Sequence, residues 1–354
     1  MRWRRCCIRC DVDFRATEQR EAQAVSDFLS RVFQLGKDAP LLAGRHMQWK
    51  YWSARPDWPG SRSFTCRHNG AIVAHAAAWP VRLRVPGRDV DAVHLIDWAA
   101  DPACPGAGIW LLRQIRAKVS FAIATGGRDI TQRILPVIGF KKHGDLCVFA
   151  RPVRPLAQAM TAREKNWRAL PRLARNSAWC VTEPLSIPRG WLAAPIEPED
   201  MPEHLWPQAS AATAVTSRDA SVYRFYVDSP STRHTLWSLS RKRELVGYFC
   251  LSFAPHIARI ADLWLPSTRV DDWCAAFKTA AVTAAREAEV CEVSAWASTA
   301  IGKEALARAG FRIRDCAAVT MSGGAGALQG RELHMQMLDC DASFLSGGDV
   351  SYLT

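Results

Sequence analysis

The distribution of apolar residues predicts alternating strands and helices over the first half of the chain. Residues 90–98 are rich in β-branched and aromatic side chains, which is typical of a strand. The turn formers of 101–108 follow, and 109–116 resume with apolar residues spaced for one face of a helix. The other predicted elements can be ordered around this succession of strand, glycine turn and helix.

Elements of the same two kinds flank this segment. The pattern predicts helices at 22–33 and 130–138, and strands at 63–68, 71–85, 119–125 and 145–151. Asn69-Gly70 lies between the first two strands, and this dipeptide is typical of a two-residue hairpin turn. The order predicts an α/β (α+β) fold with a mixed, mainly antiparallel sheet flanked by helices.

The second half of the chain repeats this order without the glycine turn. Strands are predicted at 234–240, 245–253, 258–265 and 290–297, with helices at 271–287 and 301–309. Gly310-Phe311 closes the last helix as Gly139-Phe140 closes its counterpart. Tyr51 precedes Gly139 by 88 positions and Tyr226 precedes Gly310 by 84. This spacing favours a duplicated fold with two tandem lobes.

Five segments follow from the pattern. Residues 155–207 begin with a basic amphipathic helix broken at Pro171 and continue as a proline-rich linker. We therefore predict a basic tail at 1–20, an N-terminal lobe at 21–154, this helix and linker at 155–207, a C-terminal lobe without the glycine loop at 208–340, and a C-terminal tail at 341–354.

Composition narrows the class of protein. Apolar residues make up 49% and charged residues 23%, which are proportions of a folded globular protein. We find neither a long apolar run nor a secretory leader at the start, so a cytoplasmic protein with reduced cysteines and no transmembrane segment is expected. Cys6, Cys7 and Cys10 lack a matching second pair, so no metal site is predicted. The net charge of +12 suits a polyanionic partner.

Two short motifs carry a resemblance to the GNAT superfamily of acyl-CoA N-acyltransferases. The sequence DPACPGAGIW at 101–110 resembles the pyrophosphate loop of that family, and ILPVIGF at 134–140 resembles its late helix. With the strand order, the resemblance covers residues 20–152. The two lobes together resemble tandem acyltransferases, among them FemAB-like aminoacyl transferases and GNAT-like proteins associated with exopolysaccharide synthesis.

The resemblance implies an acyltransferase that takes acetyl-CoA or another acyl-CoA as donor. The implied acceptor is a small-molecule or saccharide amine, such as an amino sugar or a cell-envelope or exopolysaccharide precursor. A glycine turn before a helix also suits an anion, because the first N–H groups of the helix are unpaired. The predicted donor-binding residues lie at the end of the strand, where backbone N–H groups are available, and in the loop and the helix start that follow. They are Trp98, Ala99, Ala100, Gly106, Ala107, Gly108, Ile109 and Trp110.

Three residues are candidates for the proton transfers that acyl transfer to an amine requires. Asp97 is the first candidate for the base, because it lies on the strand directly before the loop, where burial would raise its pKa. His75, on the preceding long strand, is the second candidate, and His94 the third. For each of them the alternative is a hydrogen-bonded structural side chain.

Departures from the family pattern keep two further hypotheses open. Pro105 stands where the family loop usually has Gln or Arg, Trp110 where it has a small residue, and Leu135 where a Tyr often protonates the leaving thiolate. These residues favour a non-catalytic binding or scaffold protein in envelope-polymer synthesis. A tRNA-dependent aminoacyl transferase is the third hypothesis, although nucleic acid is not the expected partner.

Overall fold

The computed structural model describes residues 12–36, 38–127, 129–163, 167, 169–323, 326, 328, 330–344 and 351–354. Most of the predicted basic tail, with Cys6, Cys7 and Cys10, lies outside these residues. The strands are β1 (Val12–Ala16), β2 (Ser63–His68), β3 (Ala71–Val85), β4 (Arg88–Ala100), β5 (Phe121–Thr125), β6 (Lys141–Pro152), β7 (Trp191–Pro195), β8 (Thr213–Thr216), β9 (Arg233–Arg241), β10 (Glu244–Ala254), β11 (Ile257–Trp264), β12 (Glu292–Ala297), β13 (Arg312–Ser322) and β14 (Glu332–His334). The helices are α1 (Ala22–Phe33), α2 (Gly44–Met47), α3 (Ala107–Arg116), α4 (Asp129–Val137), α5 (Pro155–Thr161), α6 (Ala169–Thr182), α7 (Ala220–Val227), α8 (Val270–Ala285) and α9 (Ala300–Arg308).

The mixed α/β fold predicted from the sequence is confirmed. Helix α1 has the predicted bounds, and Val25, Phe28 and Leu29 form its buried stripe. The β2–β3 hairpin turns at Asn69 and Gly70, which have φ angles of 50° and 78°. Positive φ at both positions is the geometry that an Asn-Gly hairpin turn requires.

One continuous sheet runs through both halves of the described chain. Its order is β1-β2-β3-β4-β5-β13-β6-β12-β11-β10-β9-β7, with β8 pairing β3 and β14 pairing β8. Strand β6 follows α4 of the N-terminal lobe but pairs with β12 of the C-terminal lobe. Strand β13 follows α9 of the C-terminal lobe but pairs with β5. Strands β6 and β13 are therefore exchanged between the two predicted lobes, and each extends the sheet of the other lobe.

A disulfide lies at the centre of this exchange. Cys147 of β6 and Cys316 of β13 face each other in register and are bonded, with a sequence separation of 169 residues. The expectation of reduced cysteines is therefore wrong for this pair. It failed because two half-cysteines so far apart in the chain give no spacing signal, and only the strand exchange brings them together.

Four segments differ from their sequence-based descriptions. Within the predicted tail, β1 pairs with β2, and within the predicted linker, β7 pairs with β9. Pro171 does not break a helix but lies in the first turn of α6, where a backbone N–H has no intrahelical partner to lose. Residues 341–344, placed in a C-terminal tail, lie between the lobes instead.

Aromatic side chains from both lobes pack together with Phe344 of this C-terminal segment. The ring centroid of Trp49 lies 4.8 Å from that of Phe225, and the ring centroid of Phe344 lies 5.0 Å from Trp49 and 4.8 Å from Trp79. All four side chains are buried. Burial of each aromatic side chain contributes roughly 2–3 kcal/mol, so Phe344 is a core residue that fixes the path of the C-terminal segment.

Candidate active site

A cavity lies where β4 and β5 diverge. These parallel strands pair only from Ala92 opposite Phe121 to His94 opposite Ile123, and beyond that point they separate. The cavity measures about 180 Å³. Its lining comes from both strands, α4 and the C-terminal segment, and comprises His94, Leu95, Ile96, Asp97, Trp98, Ala124, Thr125, Gly126, Gly127, Thr131, Leu135 and Asp341.

A β-bulge shapes one wall of the cavity. Ile96 of β4 is in register with Ala77 of β3, and Ala99 is in register with His75, so two residues of β4 stand opposite one of β3. Asp97 takes a φ of 51° at this point. A positive φ is costly for a residue with a side chain, and such strain concentrates at functional sites. The bulge directs the Asp97 carboxylate towards a buried cation.

That cation is Lys50. Its Nζ lies 2.6 Å from Oδ2 of Asp97, and the side chains are 0% and 5% exposed. The hydroxyl of Tyr51 donates to the same oxygen over 2.7 Å. Burial raises the pKa of Asp97, but Lys50 and Tyr51 outweigh it, and the net shift is downward. Asp97 is therefore an ionised, engaged carboxylate, and its low pKa makes it a poor proton acceptor.

A single π-helical turn, Gln48–Trp52, places Lys50 and Tyr51 against Asp97, which lines the cavity. Arg62, which is fully buried, donates to the backbone carbonyls of Trp49 and Lys50 over 2.7 and 2.8 Å. These contacts satisfy carbonyl groups that a π turn leaves irregularly paired. Arg62 thus holds the turn that carries the cation.

His75 supports the bulge from behind. Its Nδ1 lies 3.1 Å from the carbonyl oxygen of Asp97, which can only accept, so Nδ1 carries the proton. Its Nε2 accepts from the Ser63 hydroxyl over 2.9 Å. The ring is 0% exposed, and burial lowers its pKa to about 4. Since both ring nitrogens are engaged, His75 is a structural side chain in this geometry.

His94 lines the cavity together with Thr125. Its Nδ1 donates to the Asp339 carbonyl over 2.8 Å, and its Nε2 lies 2.8 Å from Oγ1 of Thr125. Burial lowers the pKa of His94, so the ring is neutral. Nε2 is then bare and accepts from the Thr125 hydroxyl, whose oxygen lone pairs remain available to a bound ligand.

Asp341 is a titratable cavity residue that sequence reasoning missed. It reaches the cavity because the chain returns from the C-terminal lobe and Phe344 anchors the segment. Burial raises the pKa of the Asp341 carboxyl, and Asp97 raises it further, while Lys50 opposes both. A raised pKa suits a proton acceptor. The sequence around Asp341 carries no motif, so only the fold identifies it.

The glycine loop begins at residue 101, three residues after Trp98 of the cavity lining. Gly106 is the N-cap of α3 with a φ of 92°, and a Cβ added there would meet nothing within 4 Å. The loop is tied at its start by Asp101, whose carboxylate accepts from Ala103 N over 2.9 Å and pairs with Arg31 over 2.6 Å. Space is therefore open beside the left-handed Gly106 at the start of α3, and donor binding by this loop stays a prediction.

The remaining predicted donor-binding residues have other contacts as well. A Cβ on Gly108 would lie 2.9 Å from Ala100 Cβ and 3.0 Å from Trp98 Nε1, so this glycine is required by helix–strand packing. Trp98 donates its indole N–H to the Gly108 carbonyl over 3.2 Å. Ala107 is buried, Ala99 pairs with β3, and Ile109 packs on the core. Trp110 packs edge-on against Phe14, with ring centroids 6.0 Å apart.

The corresponding gap in the C-terminal lobe is filled by the chain itself. Strands β11 and β12 are parallel and separate in the same way. Gln336 donates to the Leu263 carbonyl over 2.6 Å on one side. On the other side, Ser298 Oγ donates to the Leu333 carbonyl over 2.6 Å and accepts from Met335 N over 2.8 Å. A ligand has access to the N-terminal gap but not to this one.

Comparison with known proteins agrees with this geometry. Residues 13–118 match the family model described as an acetyltransferase (GNAT) domain. No curated protein sequence matches the chain. Among solved structures, the chain is similar to a GCN5-related N-acetyltransferase from Anabaena variabilis, with 14% identity and a TM-score of 0.58 over 88% of this chain and 72% of that one.

Two other solved structures are similar to the same share of this chain. An N-myristoyltransferase from Saccharomyces cerevisiae with bound myristoyl-CoA and inhibitors shows 12% identity and a TM-score of 0.59, covering 88% of this chain and 80% of that one. A tandem GNAT protein from the clavulanic acid biosynthesis pathway shows 13% identity and a TM-score of 0.55, covering 88% and 98%. These likenesses establish a GNAT-like fold over most of the chain.

No helix among the described residues has the length and apolar character needed to cross a membrane. No group of three or more His, Cys, Asp or Glu side chains within the described ranges is arranged to hold a metal ion.

Proposed function

We propose that this protein transfers an acyl group from acetyl-CoA or another acyl-CoA to an amine, in the cavity of the N-terminal lobe. The observation that carries the proposal is a cavity between two diverging strands with Asp341 on its wall, where the strand β4 that lines it leads into the glycine start of α3. Helix N–H groups at Gly106 suit a pyrophosphate, and the match to a GNAT domain over residues 13–118 supports this donor.

Each residue has a role that follows from its contacts. The amine nitrogen attacks the thioester carbonyl carbon, the C–N bond forms, and the C–S bond breaks to release the thiolate of CoA. Asp341 takes the proton of the amine, because its raised pKa favours proton uptake. Thr125, whose hydroxyl donates to His94, presents its lone pairs to an N–H of the acceptor. Asp97 and His75 hold the bulge and do not exchange protons.

Donor binding is tested by titrating the intact protein with acetyl-CoA in a calorimeter. Gly106→Asp and Gly106→Asn form a matched pair, because both side chains tolerate positive φ and only one is charged. We expect Gly106→Asp to weaken binding at least tenfold relative to Gly106→Asn, since its carboxylate repels the pyrophosphate. Equal affinities would refute the loop as the donor site. Gly108→Asp is less informative, because it collides with Trp98 and Ala100.

Turnover is tested by release of the CoA thiol with a panel of amines that includes amino sugars. Asp341→Asn should lower the rate by roughly 10²-fold or more, a typical contribution of a general base, and leave acetyl-CoA affinity unchanged. Asp315→Asn, an exposed carboxylate on β13, is the control. An unchanged rate in Asp341→Asn would remove Asp341 from the mechanism. The amino-sugar or envelope acceptor implied by the resemblance is proposed on that resemblance alone.

A second candidate function is binding without catalysis. Leu135 lines the cavity where the resemblance places a thiolate-protonating tyrosine, and the low pKa of Asp97 removes another proton carrier. Micromolar acetyl-CoA binding without thiol release from any amine would establish this second function in place of the first.

A further inference from the structure

Exposed apolar side chains are concentrated on one pair of helices. Of the eleven most exposed large apolar side chains among the described residues, five lie between residues 156 and 181. They are Leu156 and Met160 of α5, Trp167 between the helices, and Leu170 and Val181 of α6, with exposed fractions of 66, 67, 78, 75 and 79%. We call these five side chains the α5–α6 face.

The face is a regular product of helical spacing. Leu156 and Met160 are four residues apart and share one side of α5, and Leu170 and Val181 are three turns apart on α6. The opposite sides of both helices are fixed to the protein. Asn176 donates to Gln158 over 2.8 Å, and the Trp179 indole donates to the Gly310 carbonyl over 3.1 Å. The apolar side chains therefore point outward from a rigid base.

The same segment is strongly basic. Residues 154–182 contain six Arg or Lys residues and one acidic residue. Arg175 is exposed on α6 and Arg163 is exposed between the two helices, while Arg172 is half-buried. Exposed apolar side chains on a segment rich in arginine are the composition of helices that lie in the interface of an anionic bilayer.

We propose that the α5–α6 face docks the protein on an anionic lipid surface. The apolar side chains enter the headgroup boundary, and the arginines contact the lipid phosphates. The positive charge of the segment favours an anionic lipid surface over a second copy of the chain as the binding partner. A symmetric dimer through the face would bring the arginines of one copy against those of the other, which is unfavourable. This inference does not depend on the proposed acyl transfer.

The proposal is tested by co-sedimentation of the intact protein with vesicles. Phosphatidylcholine vesicles are compared with vesicles of equal parts phosphatidylcholine and phosphatidylglycerol. We expect binding to the anionic vesicles, little binding to the neutral ones, and a loss of binding at high salt. Equal binding to both kinds of vesicle, or binding to neither, would overturn the proposal. A concentration-dependent dimer without vesicle binding would assign the face to self-association instead.

Two pairs of variants separate the apolar and the charged contributions. The double variant Trp167→Ala with Leu170→Ser should weaken binding at least tenfold, whereas Leu192→Ser, which removes an exposed leucine elsewhere, should not. Arg175→Gln should weaken binding roughly fivefold, whereas Arg189→Gln should have little effect. All five positions are exposed, so the variants are expected to fold, and circular dichroism checks this. If the two variants of either pair changed vesicle binding equally, the α5–α6 face would be refuted as the docking site.

Discussion

The buried pair of Lys50 and Asp97 gives the most demanding test of the site geometry. The charges are 2.6 Å apart and nearly inaccessible, so removal of Lys50 leaves the Asp97 carboxylate with Tyr51 as its remaining strong donor. Loss of one partner of a buried pair costs roughly 3–5 kcal/mol. We therefore expect Lys50→Met to lower the free energy of unfolding by about 4 kcal/mol at pH 7.

The pH dependence of this loss has a definite sign. In the native protein the pKa of Asp97 is lowered. The contribution of Asp97 to the unfolding free energy is therefore complete above the pKa of the unfolded state, and it is lost as the pH falls through the pKa of the folded state. In Lys50→Met, burial without a cation raises that pKa above the unfolded value, so the variant loses stability as the pH rises from about 4. The difference in unfolding free energy between the native protein and Lys50→Met should therefore be largest near neutral pH and should shrink towards pH 4.

A double-mutant cycle isolates the pair. Asp97→Asn should cost less than Lys50→Met, about 1–3 kcal/mol, because the nearby Asp341 carboxylate remains as a counter-charge for Lys50. The double variant should return to within about 2 kcal/mol of the native protein. Urea denaturation followed by tryptophan fluorescence at pH 7 and pH 5 measures all four proteins. Additive effects of the two changes would refute a direct buried pair.

Three further predictions concern stability. Burial lowers the pKa of His46, His75 and His234 to about 4, so acidification from pH 7 to pH 5 should cost about 2 kcal/mol for each; an unfolding free energy that is flat over this range would contradict their neutral burial. Cys147→Ser should lower the unfolding free energy by about 2–4 kcal/mol under oxidising conditions, and free-thiol titration of the native protein should rise by two groups on reduction; no rise would contradict the disulfide. Gly108→Ala should cost about 1–3 kcal/mol through overpacking, and a neutral result in urea denaturation would contradict the tight contact of α3 with β4.

Local signals in the sequence were sufficient for most helices and strands. Helix α1 shows an apolar stripe over its whole length, and Asn69-Gly70 marks the β2–β3 turn, so both were predicted with their correct positions. Strands β1 and β7 were missed because they are short edge strands whose neighbours lie far along the chain. Their position depends on pairing, which no local pattern records.

The candidate site was predicted in part for the same reason. The glycine loop was found because strand, turn and helix are consecutive in the sequence. Asp97 was predicted as the base from its place on the strand before the loop, without knowledge of Lys50, which lies in a π turn that periodicity does not reveal. Asp341 was missed because it reaches the cavity only after the chain has passed through the second lobe.

The exchange of strands also dictates an order of events during synthesis. The edge of β5 stays unpaired until β13 has been made, and the contact between Ala124 and Thr320 spans 196 residues. At 5–20 residues per second, the ribosome needs roughly 10–40 s to supply that distance. The N-terminal lobe therefore waits with an open sheet edge, a surface that favours aggregation. Its exposure time is set by the rate of translation, so slow translation of the second half should lower the yield of soluble protein.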